Sequence, residues 1–278
     1  MKKRIGVLVF LKADGPVFDN LVQFEQSVCQ LVCWNPDQWT KELAEKVREE
    51  AKQKNVTITS FWAGWPGKAV WDMVDGPLTL GLVPAETRAA RVATQKKAAD
   101  FASVLGVKAI ITHLGFLPEV PSDPLFKDTV AAVKEVAEYL KKYNMEYWFE
   151  TGQETPVTML RLIEEVGTGN LGINLDPANL IMYGKANPID ALDVFGKYVR
   201  NIHAKDGIYT TDPMVLGAEV KVGLGRVRFP AFVKRLKEIG YDEEFIIERE
   251  ISGEKQFNDI KDTISYLKVL IEKEYGNY

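Results

Sequence analysis

Short apolar runs rich in β-branched residues alternate along this chain with longer stretches whose apolar positions recur every three or four residues. The first pattern fits a buried strand and the second an amphipathic helix. The runs predict strands over Arg4–Phe10, Val28–Trp34, Val56–Ala63, Ala109–His113, Glu146–Glu150, Leu171–Leu175, Val199–Ala204 and Phe245–Glu248. The stretches between them predict helices over Gln38–Lys54, Glu86–Leu105, Lys127–Tyr143, Pro156–Val166, Pro188–Phe195, Pro230–Ile239 and Phe257–Glu274. The clearest is Lys127–Tyr143, where Val130, Val133, Val136, Ala137 and Leu140 fall at helical spacing. Gly106, Gly167 and Gly240 stand where a helix closes before the next strand.

Strands alternating with helices in this way indicate a parallel α/β fold. A closed barrel and an open doubly wound sheet both satisfy the count. No GxGxxG follows the first strand, which removes support for a dinucleotide-binding open sheet. The length of 278 residues suits one barrel, which needs about 250. No linker rich in Pro, Gly or Ser divides the chain, and neither an internal repeat nor a low-complexity segment is present. The expectation is therefore a single (β/α)8 TIM barrel domain over residues 1–278.

Composition narrows the function. With a formal net charge of -4, the chain lacks the general basicity that a nucleic-acid binder uses to displace counterions. The apolar run Ile5–Leu11 stops at Lys12 and Asp14, with no small-residue cleavage site after it, so it reads as a first strand and not as a signal peptide. No stretch approaches the roughly 20 apolar residues that span a bilayer. Cys29 and Cys33 lie on one face of a strand roughly 13 Å apart, beyond the ~7 Å a disulfide bridges. Free thiols suit a reducing cytoplasm.

Candidate chemistry lies at strand ends. Four apolar strands finish on a residue able to bind a metal: Glu150 in YWFETG, Asp176 in GINLDPAN, His203 in VRNIHAKD and Glu248 in FIIERE. They are 26, 27 and 45 residues apart, close to one strand–helix unit each with a longer last connection. In a barrel they share the C-terminal rim, where active sites of this fold sit. Singly, each carboxylate could be a helix N-cap or an ion-pair partner, and the histidine a hydrogen-bonded core residue. Jointly they fit one divalent ion such as Mn²⁺, Mg²⁺, Co²⁺ or Zn²⁺. His113, ending the fourth strand, reads either as a contact to a substrate hydroxyl or as a structural cap. Glu154 reads as a substrate contact or, with Thr155, as a cap of the next helix. The segment FWAGWPGKAVW places Trp62, Trp65 and Trp71 in the loop after the third strand, as a lid stacking on a sugar, a small core or an oligomer contact. The segment Lys221–Arg228, with two close glycines and three basic residues, reads as a phosphate-binding loop or as a shaped turn.

The segments FETGQETP, INLDPANLIMYG, HAKDG, VGLGRVRFPAFVKRLKEIGY and IIERE resemble the xylose isomerase-like barrel superfamily, and most closely its sugar phosphate isomerase/epimerase group with the ketose 3-epimerases. The likeness runs from about Ile110 to Ser252, with WAGW and GLVP adding to it. It implies one divalent metal held by Glu150, Asp176, His203 and Glu248, with Glu150 and Glu248 doubling as acid and base. Departures from relatives matter. The Glu-x-Lys of aldose–ketose isomerases is absent, since Thr151 and Gly152 follow Glu150. Where those enzymes hold a second metal, only Lys205 and Asp206 stand; Asn179 replaces the histidine that many ketose epimerases carry three residues after the metal aspartate. Trp65, His113, Glu154, Asn179, Lys205 and Asp206 are thus the candidate substrate contacts. The chemistry expected is deprotonation beside a ketose carbonyl, stabilised as an enediolate, with reprotonation on the other face. Rival readings are an aldose–ketose isomerase, a dehydratase of a cyclic polyol ketone, a metal-dependent nuclease and a non-catalytic sugar binder. The partner expected is a small sugar, with neither nucleic acid nor membrane, and self-association left open.

Overall fold

A computed structural model describes residues 5–276. Eight parallel strands close into a barrel: β1 (Ile5–Phe10), β2 (Val28–Cys33), β3 (Thr57–Ala63), β4 (Ala109–His113), β5 (Glu146–Glu150), β6 (Leu171–Leu175), β7 (Val199–Ala204) and β10 (Phe245–Ile247), with β10 sealing the ring between β7 and β1. The (β/α)8 expectation holds, and strand bounds read from the apolar runs agree to within a residue. Arg4, at the first expected boundary, lies outside the described residues.

The outer ring is α2 (Lys41–Gln53), α4 (Ala85–Leu105), α5 (Pro124–Lys141), α6 (Pro156–Val166), α8 (Pro188–Phe195), α9 (Phe229–Glu238) and α10 (Glu254–Tyr275). Local chemistry sets their starts. Thr40 caps α2 through a bond from the Leu43 N–H, so that helix opens three residues later than Gln38. Asp123 caps α5 ahead of Pro124, which moves that start earlier than Lys127. Proline opens α5, α6 and α8, where its missing N–H costs nothing. Gly106 and Gly167 close their helices in the left-handed region, as expected.

Short elements escaped the periodicity reading because they are too brief to repeat: α1 (Asp19–Gln23), α3 (Gly76–Thr79), α7 (Pro177–Met182), and an antiparallel ribbon of β8 (Asp206–Gly207) with β9 (Glu219–Val220). Register then aligns the rim. His113 pairs with Glu150, Glu150 with Asn174, and His203 with Ile246, two residues before Glu248. The register slips by one residue in two places. On β3, Thr59 and Ser60 occupy the interval opposite Gln30; on β7, Arg200 is the extra residue opposite the Ile173–Asn174 step. Such bulges re-aim side chains next to sites. Among the described residues no helix is long and apolar enough to cross a membrane.

Candidate metal centre and active site

Glu150 ends β5, Asp176 follows β6, His203 lies near the end of β7, and Glu248 follows β10. Each offers one ligand atom, and these atoms all lie within 4.8 Å of one another. His203 Nδ1 is 3.1 Å from a Glu248 oxygen, 3.4 Å from one of Glu150 and 3.9 Å from Asp176 Oδ2. For Asp176 the two sequence readings coexist. Its Oδ1 accepts the Asn179 N–H and caps α7, while Oδ2 is left buried without a hydrogen bond. Thr151 locks this corner, its hydroxyl accepting the Asp176 N–H and donating to the Asp176 carbonyl.

Glu150 is held from several sides. Trp62 Nε1 donates to one oxygen, Asn179 Nδ2 donates to the other at 3.3 Å, and His113 Nε2 lies 3.4 Å from it. Lys205, 2% exposed, extends its ammonium to 3.5 Å from Asp176, 3.3 Å from Glu248 and 2.6 Å from Glu250. Burial pushes Glu150 upward, but His113 and His203 outweigh it and hold the carboxyl well below its usual range. Burial likewise opposes the ionised Glu248, yet Lys205 and His203 bring it to about 2. Burial raises Asp176, helped by Glu248 and Glu150 and opposed by Lys205. His203 and Lys205 are penalised by burial, but the surrounding carboxylates lift both well above their usual values. The cluster thus sets three carboxylates against His203 and Lys205. The orphaned Asp176 Oδ2 and His203 Nδ1, aimed into one small space with two further carboxylates, fit a divalent ion.

The site opens into a cavity of about 990 Å³ lined by Glu150, Glu248, Lys205, Asn179 and His113, with Trp34, Trp62 and Trp71 on one flank and Phe10, Phe24 and Phe257 on another. Several sequence-based expectations change here. Trp62 belongs to β3, and Trp65 lies behind the cavity wall, 3% exposed and packed among Trp34, Trp62 and Trp71. Trp71, 38% exposed and edge-on to His113, and Trp34, 37% exposed, present indoles to the cavity. Trp71→Ala is expected to raise KM severalfold with little change in stability, whereas Trp65→Ala should chiefly lower the thermal midpoint. Steady-state kinetics and calorimetry on both variants check this, and unchanged KM in the Trp71 variant would remove it from the binding surface.

Asp206, expected at the substrate, instead organises its own loop. Its carboxylate accepts the N–H groups of Gly207, Gly223, Gly225 and Val227. The last three are amides that Lys221–Arg228 would have turned toward a phosphate, so the nest already holds an internal carboxylate. A Cβ at Gly225 would lie 2.0 Å from the Asp206 carboxylate, which is why glycine stands there. Lys221 pairs with Asp262. Glu250, which reaches Lys205, went unnoticed in the sequence because it follows the last strand in an irregular segment.

Glu154 caps nothing, since Thr155 caps α6. Both its oxygens are buried without partners, and burial pushes its carboxyl up to about 7, against the pull of His113. An unfolded glutamate titrates near 4.3. The folded state therefore keeps a proton that the unfolded chain releases, and the associated stability is full below the unfolded value and lost as pH rises through about 7. In chelated protein, Glu154→Gln should shrink the drop in thermal midpoint between pH 5 and pH 8.5, removing a loss of up to about a few kcal/mol. Parallel profiles for variant and parent would contradict it.

Comparison with known proteins agrees with this architecture. The sequence profile of the family described as Xylose isomerase-like TIM barrel matches residues 20–270. The crystal structure of a Xylose isomerase domain protein from Planctomyces limnophilus shares 34% identity, covers 99% of both chains and superimposes with a TM-score of 0.93. A structure of D-psicose 3-epimerase in the presence of D-fructose shares 15% identity over 99% of this chain and 100% of that one, with a TM-score of 0.71, and so bears on the fold alone. An uncharacterised protein of Methanocaldococcus jannaschii is 25% identical over 191 residues, which are 65% of this chain and 60% of that protein; the match therefore spans less than two thirds of the relative's length.

Proposed function

We propose that this chain, which belongs to the xylose isomerase-like TIM barrel family, is a divalent-metal-dependent epimerase of a small ketose, inverting the carbon next to the carbonyl. One observation carries the reading. Two glutamates from separate strands, Glu150 and Glu248, approach the same His203 nitrogen at 3.4 and 3.1 Å in the wall of a cavity. A non-catalytic sugar binder has no need of two such carboxylates.

When bound, a divalent ion would lower the cost of negative charge on the ketone oxygen as the neighbouring proton leaves. Glu150, Asp176, His203 and Glu248 would hold it. The rest is done by the chain. In the working state one glutamate is ionised and takes the proton from carbon, while the other carries a proton and returns it to the opposite face. The carbon is inverted; one glutamate has gained a proton and the other has given one up, and the pair resets by proton exchange with solvent or by a turnover in the reverse direction. Trp62, Asn179 and His113 fix Glu150 in one orientation, and Lys205 steadies Glu248. Trp71 and His113 would cover a sugar face and exclude water. The Asp206-filled nest favours an unphosphorylated substrate over a phosphorylated one.

The test is incubation of Mn²⁺-loaded protein in D₂O with a panel of free and phosphorylated ketoses, followed by NMR. Deuterium entering next to the carbonyl together with a second epimer is the expected result. Absence of exchange with every ketose would end the reading, and aldose formation would move it to an aldose–ketose isomerase.

A further inference from the structure

The barrel interior beneath the site is polar where this fold usually packs branched hydrocarbon. Gln30 on β2, Ser60 on β3, Asn174 on β6 and Asn201 on β7 are all 1% exposed or less. Burying amides in a barrel core costs free energy unless each finds a partner, and a hydrocarbon of the same size would fill the space with no such demand. Both register slips fall here, opposite Gln30 and at the Ile173–Asn174 step. These two side chains are the ones that reach the far nitrogen of His203: Gln30 Oε1 lies 2.8 Å from Nε2, and Asn174 Nδ2 lies 3.1 Å from it.

The direction of this chain of bonds can be worked out from its far end. Thr59 Oγ1 donates to the Cys29 carbonyl, so it must accept from the Ser60 hydroxyl, 3.4 Å away. With its own hydrogen used, Ser60 Oγ accepts from Gln30 Nε2 at 3.2 Å. That fixes the amide of Gln30 with its oxygen toward His203. Asn174 meets Nε2 through its Nδ2, its oxygen receiving Asn201 Nδ2; with a hydrogen on Nε2, the amides of Asn174 and Asn201 both turn over, so that Asn174 Oδ1 faces the ring and its Nδ2 donates to Asn201 Oδ1, which otherwise has no partner.

From this we propose that Gln30 is a positioning residue for the metal centre: it accepts a hydrogen bond from His203 Nε2–H, selects the tautomer with a free Nδ1, and so turns the lone pair of Nδ1 toward Glu150, Asp176 and Glu248. The bulge of β3 opposite Gln30 is the backbone device that brings Ser60 under it. Ligating histidines commonly donate their second N–H to a carboxylate, a carbonyl or water, and loss of that acceptor costs about 10- to 100-fold in metal affinity. Here a glutamine 173 residues away in the chain serves. The inference rests on the proposed metal site but assigns a residue that no metal reading by itself would include.

The experiment compares the parent with Gln30→Met, which keeps shape without an acceptor, and Gln30→Glu, which keeps an acceptor. Mn²⁺ affinity is read by titration calorimetry and thermal midpoint in metal-free protein. Gln30→Met is expected to fold and melt close to the parent yet bind Mn²⁺ about 10- to 100-fold more weakly, while Gln30→Glu stays within a few-fold. A second measurement needs no variant. In Co²⁺-loaded parent, a His203 ring N–H shifted by the ion should be assigned to Nε2 by ¹⁵N labelling and should exchange slowly with water. His113, the only other histidine, is distinguished by its loss in His113→Asn. Mn²⁺ binding by Gln30→Met within two-fold of the parent, or cobalt found on Nε2, overturns the role of Gln30 alone. A parent that binds no divalent ion overturns the metal site itself.

Discussion

Glu150→Gln and Glu248→Gln should each lower turnover by roughly 10²- to 10⁴-fold, the usual contribution of a general acid or base, while the protein stays folded and still takes up metal. Glutamine keeps the size and one oxygen donor but cannot exchange a proton. The two variants should differ in detail. Trp62, Asn179, His113 and His203 all meet Glu150, whereas Glu248 is held chiefly by Lys205 and His203. Gln at 150 therefore disturbs a denser set of contacts and should cost more stability than Gln at 248. If each glutamate serves one face of the substrate, a single variant will still wash deuterium into one epimer while net epimerisation stops. Initial rates, metal content and isotope exchange measured on the same preparations read all three effects. Epimerisation within a few-fold of the parent in either variant, at normal metal occupancy, would move proton transfer to His113 or Lys205.

Removal of metal is expected to abolish turnover, and Mn²⁺, Co²⁺ or Mg²⁺ to restore it. The change in the site is electrostatic. Without an ion, three carboxylates face His203 and Lys205 and lift both above their usual values. A proton on His203 Nδ1 has to leave before the ion binds there, so affinity should rise with pH. A folded chain that binds the ion while the unfolded chain does so poorly should gain about 4 kcal/mol of stability at 1,000 times Kd. Asp176→Asn should remove both the recovery and the stabilisation, because it neutralises the ligand and leaves Lys205 buried with less charge opposite it. Full activity in a chelated, metal-free sample would end the metal reading outright.

Much was legible before any coordinates. Strand positions followed from largely apolar runs, because a strand buried on both faces takes few polar residues, and the residues ending those runs proved to share one rim. Helix ends were less legible. Thr40 and Asp123 each shifted a start by about one turn through a single side-chain bond that periodicity does not register.

The division between chain and fold is clearest around the candidate site. Local sequence by itself determined that Glu150, Asp176, His203 and Glu248 would stand at strand ends, since burial pattern and strand length are short-range properties. It also determined the parallel α/β class, through eight repeats of one alternation, whereas closure of the sheet is a tertiary property. Only tertiary structure decided which neighbours each group would meet: Asp206 taken by the amides of its own loop, Trp65 behind Trp71, Lys205 joined by Glu250, and His203 facing Gln30 on the opposite side of the ring. These contacts join residues distant in the chain, and they depend on barrel closure and on one-residue slips in register. A hydrophobic pattern of period two records which face a residue occupies, but not what lies across the barrel from it.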